Sequence, residues 1–453
     1  MKRIVVAIFS ILFFPFFSGA QSDLRVSDNG RYLVYHDGSP FFYLGDTAWE
    51  LFHRLNRAEA SLYLKDRAEK GFTVIQAVVL AEHDGLNDPN AYGATPLINH
   101  DPARPDEAYF EQVDYIIKKA EEYGLHIALL PTWGDKLFKA KWGTGPEIFN
   151  RENAYAYGKF IGNRYKNQAN IIWVIGGDRN PRDGTDDAGV WRAMARGITE
   201  AVGGNDKALM TFHPQTASSA WFHQDDWLDF NMLQTSHCAD TKVWEKISHD
   251  YGLSPVKPTM DGEPMYEEIP VCFDLKNGYA DPNDIRRKAY LSLFAGAHGH
   301  TYGCNNIWQM YAPERKPQIH ATKPWFDSLD LPGAQSMTFV RKLMESRPML
   351  DRVPDQSLIV DSPEPYRERI QATRGNDYAF IYSSSGLPFE VRMGKISGKK
   401  VKASWYNPRN GEVSEAGTFK NKGVIRFSPP STGNSDDWVL IIDDTSRNFA
   451  GMD

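Results

Sequence analysis

Ile171-Ile172-Trp173-Val174-Ile175 runs without a polar break, and Gly176-Gly177-Asp178 ends it. A continuous β-branched run of this kind predicts a strand buried on both faces, as in a parallel sheet. Comparable runs predict strands over 41–49, 72–80, 126–133, 208–214, 229–237, 255–263 and 295–303. Segments of helical period lie between most of them. These are 57–71 with Asn56 as a cap, 107–123 closed by Gly124, 153–165, 189–202 and 282–294, with 334–345 after the last strand. Residues 221–227 read as a short aromatic-rich connection, and 81–105 as a long polar loop. Eight strands alternating with helices predict an α/β protein built on a (β/α)8 TIM barrel. No Gly-x-Gly-x-x-Gly follows the first strand and no phosphate-binding loop occurs, which argues against a nucleotide fold.

Both ends of the chain differ in pattern. Residues 24–35 alternate around Asp28-Asn29-Gly30, a hairpin signature. Past Met349-Leu350 short alternating runs take over, at 369–372, 378–382, 389–393, 401–406, 423–427 and 438–442, with turn dipeptides between them. They predict a small antiparallel β-sandwich, expected to buttress the barrel. The expected division is a leader over 1–20, the barrel over 21–350 and the sandwich over 351–453.

Lys2-Arg3, an apolar run over 4–17 broken by Ser10 and Pro15, and Ser18-Gly19-Ala20 form an export signal with cleavage expected after Ala20. No cysteine follows to carry a lipid. The expected location is secreted or periplasmic, with no membrane insertion after cleavage. The net charge of −7 is spread out, so neither nucleic acid nor an anionic membrane is expected as a partner. Aromatic residues make up 13% of the chain, with 12 Trp and 21 Tyr, side chains on which sugar rings stack. Cys238, Cys272 and Cys304 fit neither a disulfide framework nor a zinc motif and are expected as buried, inert thiols, at least one of them free.

Sorted by strand end, the barrel's acids are Asp46, Asp135, Asp178 and Glu263. Hydrolysis of a glycosidic bond needs two carboxyls flanking it, one to protonate the leaving oxygen and one to attack or to activate water. Strands four and seven lie on roughly opposite sides of a barrel mouth, so Asp178 and Glu263 are expected to face each other as the catalytic pair. Glu267 and Glu268 are rivals for the place of Glu263. Hydrophobic neighbours such as Trp173 or Trp308 would raise the proton donor's pKa. The expected substrate-binding set comprises the aromatic side chains of Trp49, Trp133, Tyr266 and Trp308. Its polar members are Asp46, Gln76, His83, Asp135, His213, His237 and His300.

His213, His237, His298 and His300 also invite a metal reading, with His298 and His300 on one face of a strand. A metal-dependent barrel hydrolase would want such a pair on the first strand, where only Asp46 stands, so no metal or cofactor is expected. No Gly-x-Ser-x-Gly elbow supports a serine nucleophile. A non-catalytic glycan-binding barrel is a further alternative; its mark would be a missing carboxylate, and neither is missing.

Gly45-Asp46-Thr47-Ala48-Trp49-Glu50-Leu51-Phe52, Gln76-Ala77-Val78-Val79-Leu80, Leu130-Pro131-Thr132-Trp133-Gly134-Asp135-Lys136, Trp173-Val174-Ile175-Gly176-Gly177-Asp178 and Gly296-Ala297-His298-Gly299-His300-Thr301-Tyr302-Gly303 resemble the apiosidase-like proteins of glycoside hydrolase family 140. The tail resembles the β-sandwich, labelled collagen-binding, that accompanies such barrels. The resemblance implies an exported bacterial enzyme that removes apiose-linked units from rhamnogalacturonan II of pectin. It also implies Asp178 as acid/base and Glu263 as nucleophile. The large retaining barrel clan usually has Asn-Glu where this chain has Gly177-Asp178. An Asp is one methylene shorter, which bears on carboxyl separation and so on retention against inversion.

Overall fold

A computed structural model describes residues 24–451 apart from 364, so the export signal expected over 1–20 lies outside the described residues. Eight strands form the central sheet: β1 (Tyr43–Thr47), β2 (Val74–Leu80), β3 (His126–Thr132), β4 (Ile171–Gly176), β5 (Met210–His213), β6 (Asn231–Gln234), β7 (Thr259–Glu263) and β8 (Gly299–Tyr302). Their order is β5-β4-β3-β2-β1-β8-β7-β6, and every ladder is parallel. At the β5/β6 seam single hydrogen bonds replace a ladder: Met210 N–H donates to Asp229 Oδ2 at 2.7 Å, and Thr211 Oγ1 to Phe230 O at 2.6 Å. The barrel is therefore nearly closed. Each residue of β2 and β3 is buried, as expected of strands that are apolar on both faces but for Gln76 and the ends of β3.

A helix follows each strand: α1 (Arg57–Glu69), α2 (Glu107–Glu122), α3 (Arg151–Tyr165), α4 (Asp187–Val202), α5 (Ser219–Phe222), α6 (Val243–Tyr251), α7 (Pro282–Phe294) and α8 (Pro332–Glu345). Asn56 and Glu59 form a reciprocal capping box at α1, and Asp281 and Asp284 form another at α7. The sequence pattern gave no helix for α6, which is short, yet its buried Val243, Trp244 and Ile247 share one face. Ahead of the barrel, Leu24–Val26 pairs with Leu33–Tyr35 as an antiparallel hairpin.

Beyond α8 come β9 (Val353–Pro354), β10 (Ile370–Arg374), β11 (Tyr378–Ser383), β12 (Phe389–Arg392), β13 (Lys400–Tyr406), β14 (Val413–Lys420), β15 (Val424–Phe427) and β16 (Trp438–Asp444). Their sheets, ordered β9-β10-β11-β16-β13-β14 and β12-β15, are antiparallel and enclose a separate core. β14 escaped the sequence reading because it is an edge strand, mostly solvated and without apolar alternation. Against the barrel, this unit covers α7, whose residues from Asn283 to Phe294 are all buried. Arg286 binds both oxygens of Asp437 at 3.0 and 2.9 Å, and the Tyr290 and Tyr382 rings stack 4.8 Å apart.

Candidate active site

The chain leaves β4 through three successive residues with positive φ: Gly176 (87°), Gly177 (144°) and Asp178 (47°). A Cβ on Gly177 would sit 2.7 Å from the Trp133 ring and 2.9 Å from Gly134 N, and one on Gly176 would sit 2.5 Å from the Phe212 ring. Glycine alone fits both places. This turn aims Asp178 at the barrel mouth, where its Oδ2 accepts hydrogen bonds from Trp142 Nε1 and from Arg179, each at 2.9 Å. Trp142 rides on a loop held by Asp135, whose Oδ2 takes the N–H groups of Thr144 (3.1 Å) and Gly145 (2.8 Å). Gly177→Ala is expected to keep the fold but displace Asp178, lowering kcat about 100-fold. Steady-state kinetics alongside circular dichroism checks this, and unchanged kcat would show that the tight turn does not set the acid's position.

On the other side, β7 carries Asp261 and Glu263, two residues apart and so nominally on one face. The register against β6 slips between them, and a Cβ on Gly262 would lie 2.4 Å from Met232. This bulge sends Asp261 towards α7 and Thr235, whose Oγ1 donates to it at 2.8 Å, and turns Glu263 into the mouth. Gln76 Nε2 donates to Gly262 O at 2.8 Å and fixes the irregularity from inside the barrel.

Two histidines meet Glu263. His237 Nε2 lies 3.3 Å from Oε1, and His213 Nε2 lies 2.9 Å from Oε2 in a contact that is close but off the hydrogen-bond axis. The N–H of Asp178 donates to His213 Nδ1 at 3.2 Å, so in neutral His213 the ring proton sits on Nε2, towards Glu263. One imidazole thus links the backbone of one acid to the carboxylate of the other. Tyr266, beside Glu263, is kept neutral by burial and by that charge.

These surroundings drive the two carboxyls apart. Burial and the charge of Glu263 push Asp178 above the usual carboxylate range, against the lowering effect of Arg179 and Trp142. Burial would raise Glu263 as well, but the polar contacts of His213 and His237 outweigh it and hold the group well below its ordinary value. A pair of carboxyls pushed in opposite directions can supply a proton on one side and an ionised base or nucleophile on the other.

Both line a single cavity of about 790 Å³, within the range of small-ligand sites. Of the side chains expected from sequence, Trp49, His83, Trp133, His237, Tyr266 and Trp308 line it, and His213 reaches Glu263 from behind. Four others lie elsewhere. Asp46 is fully buried and faces α1, 3.0 Å from Arg67 Nε and 2.7 Å from Tyr63 Oη, with burial raising its pKa to about 6. Gln76 serves the bulge and Asp135 the Trp142 loop. His300 is fully buried on β8 away from the cavity, and burial lowers its pKa to about 3. Trp173 packs in the core between sheet and helices, away from the cavity. Glu267 accepts from Tyr302 and Gly333, and Glu268 pairs with Lys323, so neither rival lines the cavity. Among the described residues no group of three or more His, Cys, Asp or Glu is placed to hold a metal ion.

Sequence reasoning missed Glu82, Trp142, Arg179 and Phe273. Glu82 stands two residues past the end of β2 and Arg179 follows Asp178, so both were readable as strand-end residues. Trp142 and Phe273 sit on loops whose path the sequence does not reveal.

The expectation of three inert thiols is overturned for two of them. Cys238 and Cys272 form a disulfide with Cα atoms 4.5 Å apart, spanning 34 residues, while Cys304 is buried and free. They lie on the loops after β6 and β7, strands that pair side by side in the sheet. Beside the bridge, Cys272 N–H donates to His237 O at 3.0 Å and Phe273 packs edge-on against the His237 ring. Reducing the bond, or replacing both cysteines with serine, is expected to cost about 2–4 kcal/mol of stability by freeing the unfolded chain. Denaturant midpoints with and without reductant measure it; identical midpoints would mean that the bridge does not constrain folding.

The family model described as "Apiosidase-like, catalytic domain" matches residues 27–351, and a collagen-binding-type domain model from a collagenase matches 353–443. A solved structure named glycoside hydrolase is 38% identical, with a TM-score of 0.87 over 95% of this chain and 98% of its own. A glycoside hydrolase family 5 structure from Bacteroides vulgatus ATCC 8482 is 36% identical, covers 95% of each chain and has a TM-score of 0.87. No curated protein matches the chain.

Proposed function

The chain belongs to the apiosidase-like glycoside hydrolases, and from that membership we propose that it removes apiose-linked units from the rhamnogalacturonan II side chains of pectin, with Asp178 and Glu263 as the catalytic pair. The observation that carries this reading is that two carboxyls with different partners, Trp142 and Arg179 on Asp178 and two histidines on Glu263, line one aromatic-walled cavity. The glycosidic oxygen takes the proton of Asp178 as its bond to the anomeric carbon breaks and the bonding electrons pass to that oxygen. Ionised Glu263 meets the electron-poor carbon, either bonding to it or taking a proton from the water that does. Where Glu263 bonds to the carbon, Asp178 takes a proton from the water that then releases the sugar and is protonated again; where Glu263 takes the proton of the attacking water, that proton passes back to Asp178 through solvent once the products leave. Trp49, Trp133 and Trp308 offer apolar faces for the sugar ring, and their bulk keeps the proton donor poorly hydrated.

Export completes the proposal, with residues 1–20 as a cleaved signal, the barrel over 21–350 and the sandwich over 351–453. The Cys238–Cys272 bond supports an oxidising compartment. No helix among the described residues is long and apolar enough to cross a membrane. Incubation with apiose-bearing pectin fragments tests the substrate. Released apiose, seen by mass and by its anomeric proton signals, is the expected result, and the first-formed anomer shows whether Glu263 attacks directly or through water. Intact fragments beside hydrolysis of another glycan would overturn the apiose assignment.

A further inference from the structure

We propose that Glu82 is a substrate-contacting residue whose carboxyl hydrogen-bonds adjacent hydroxyls of the sugar held between Asp178 and Glu263. Glu82 stands two residues past the end of β2, is only 8% exposed, and lines the same cavity as the catalytic pair. The three carboxyls there differ in one respect. Asp178 accepts from Trp142 and Arg179, and Glu263 is met by His213 and His237, but the Glu82 side chain makes no hydrogen bond among the described residues. His83 Nε2 stands 3.9 Å from its Oε2, beyond hydrogen-bond range. The Glu82 oxygens are not among the sealed, unpartnered atoms of the interior, so they reach the cavity itself.

A carboxyl this buried and without a partner carries a desolvation cost that nothing in the chain offsets. A ligand in the cavity would offset it. The backbone is prepared for that role: Glu82 O accepts from Asp84 N–H at 2.8 Å and from the buried Lys136 at 3.4 Å, and Lys136 is itself tied to Asp135 at 2.8 Å. Burial, together with the charges of Asp178 and Asp135, favours the neutral acid. A neutral carboxyl donates through O–H and accepts through C=O, so it can span two neighbouring hydroxyls. Asp178 and Glu263 act on the anomeric centre; Glu82 would select the ring that presents that centre. This inference rests on the assignment of Asp178 and Glu263 as the reacting pair.

The test uses the full chain and a panel of 4-nitrophenyl glycosides (apioside, arabinofuranoside, xyloside, rhamnoside, galactoside), whose leaving group departs without a proton. The glycoside turned over best by the wild-type chain then serves for the variants, so a preference other than apioside would overturn the apiose reading and leave the Glu82 comparison in place. On that substrate Glu82→Ala is expected to lower kcat/KM about 10- to 150-fold, the equivalent of one strong hydrogen bond. Glu82→Gln, which can still donate and accept, should stay within about fivefold of wild type. Unchanged kcat/KM in Glu82→Ala would overturn the proposal. So would a Glu82→Gln variant that is normal on the nitrophenyl glycoside yet inactive on the natural linkage, because that pattern marks a proton donor. Thermal melts confirm that both variants are folded.

Discussion

Replacing Glu263 with glutamine is expected to lower kcat by at least about 10⁴-fold while leaving the barrel folded. Gln is nearly isosteric, so the packing against Tyr266 and the bulge at Gly262 survive. What disappears is the negative charge that His213 and His237 maintain. An amide neither bonds to an electron-poor anomeric carbon nor deprotonates water. It also turns an N–H group towards one of the two imidazoles, both of which supply protons at this site. Turnover measured on pectin fragments, with circular dichroism for folding, checks this. Retention of more than a tenth of wild-type kcat would remove Glu263 from the chemistry.

Asp178→Asn should behave differently, and the difference identifies its role. A sugar alcohol leaves poorly without a proton, so kcat/KM on the natural linkage is expected to fall about 10²- to 10⁴-fold, the usual worth of general acid catalysis. A nitrophenyl glycoside needs no proton, and there kcat/KM should stay within about tenfold of wild type. Asn retains the acceptor for Trp142 and Arg179, so the positive-φ turn that carries it is undisturbed. An equal loss on both substrates would assign Asp178 to binding rather than to proton transfer.

How far the sequence foretold this arrangement depends on which physical signal each residue carries. The run from Ile171 to Ile175 announces a strand buried on both faces because both faces are apolar, and the glycines behind it announce a turn that tolerates no Cβ. Asp178 was legible for that reason. Glu263 was legible as a strand-end acid. Its direction was not, since an even spacing from Asp261 puts both on one face, and only the bulge at Gly262, a tertiary feature of pairing with β6, separates them. Asp46 was misjudged for the same reason: an acid near a strand end faces either the mouth or the helices, and the nearby Arg67 and Tyr63 of α1 decide it. The Cys238–Cys272 bond joins the loops after two paired strands, β6 and β7, and the spacing of the cysteines in the sequence does not reveal that these loops bring them within bonding distance. Glu82 carried a readable signal, an acid two residues past a strand, that was passed over.

The pH dependence of kcat/KM for the wild-type chain and Asp178→Asn, on one pectin fragment, decides whether two carboxyls in opposite protonation states carry the reaction. Asp178 has a raised pKa and acts while protonated, so the rate falls as pH climbs through that value. Glu263 has a lowered pKa and acts while ionised, so the rate also falls on the acid side, but only well below the usual carboxylate range. In Asp178→Asn the part of the alkaline fall set by Asp178 should vanish while the acid fall remains; an alkaline limb left unchanged in position by that substitution would mean that Asp178 is not the group that sets it.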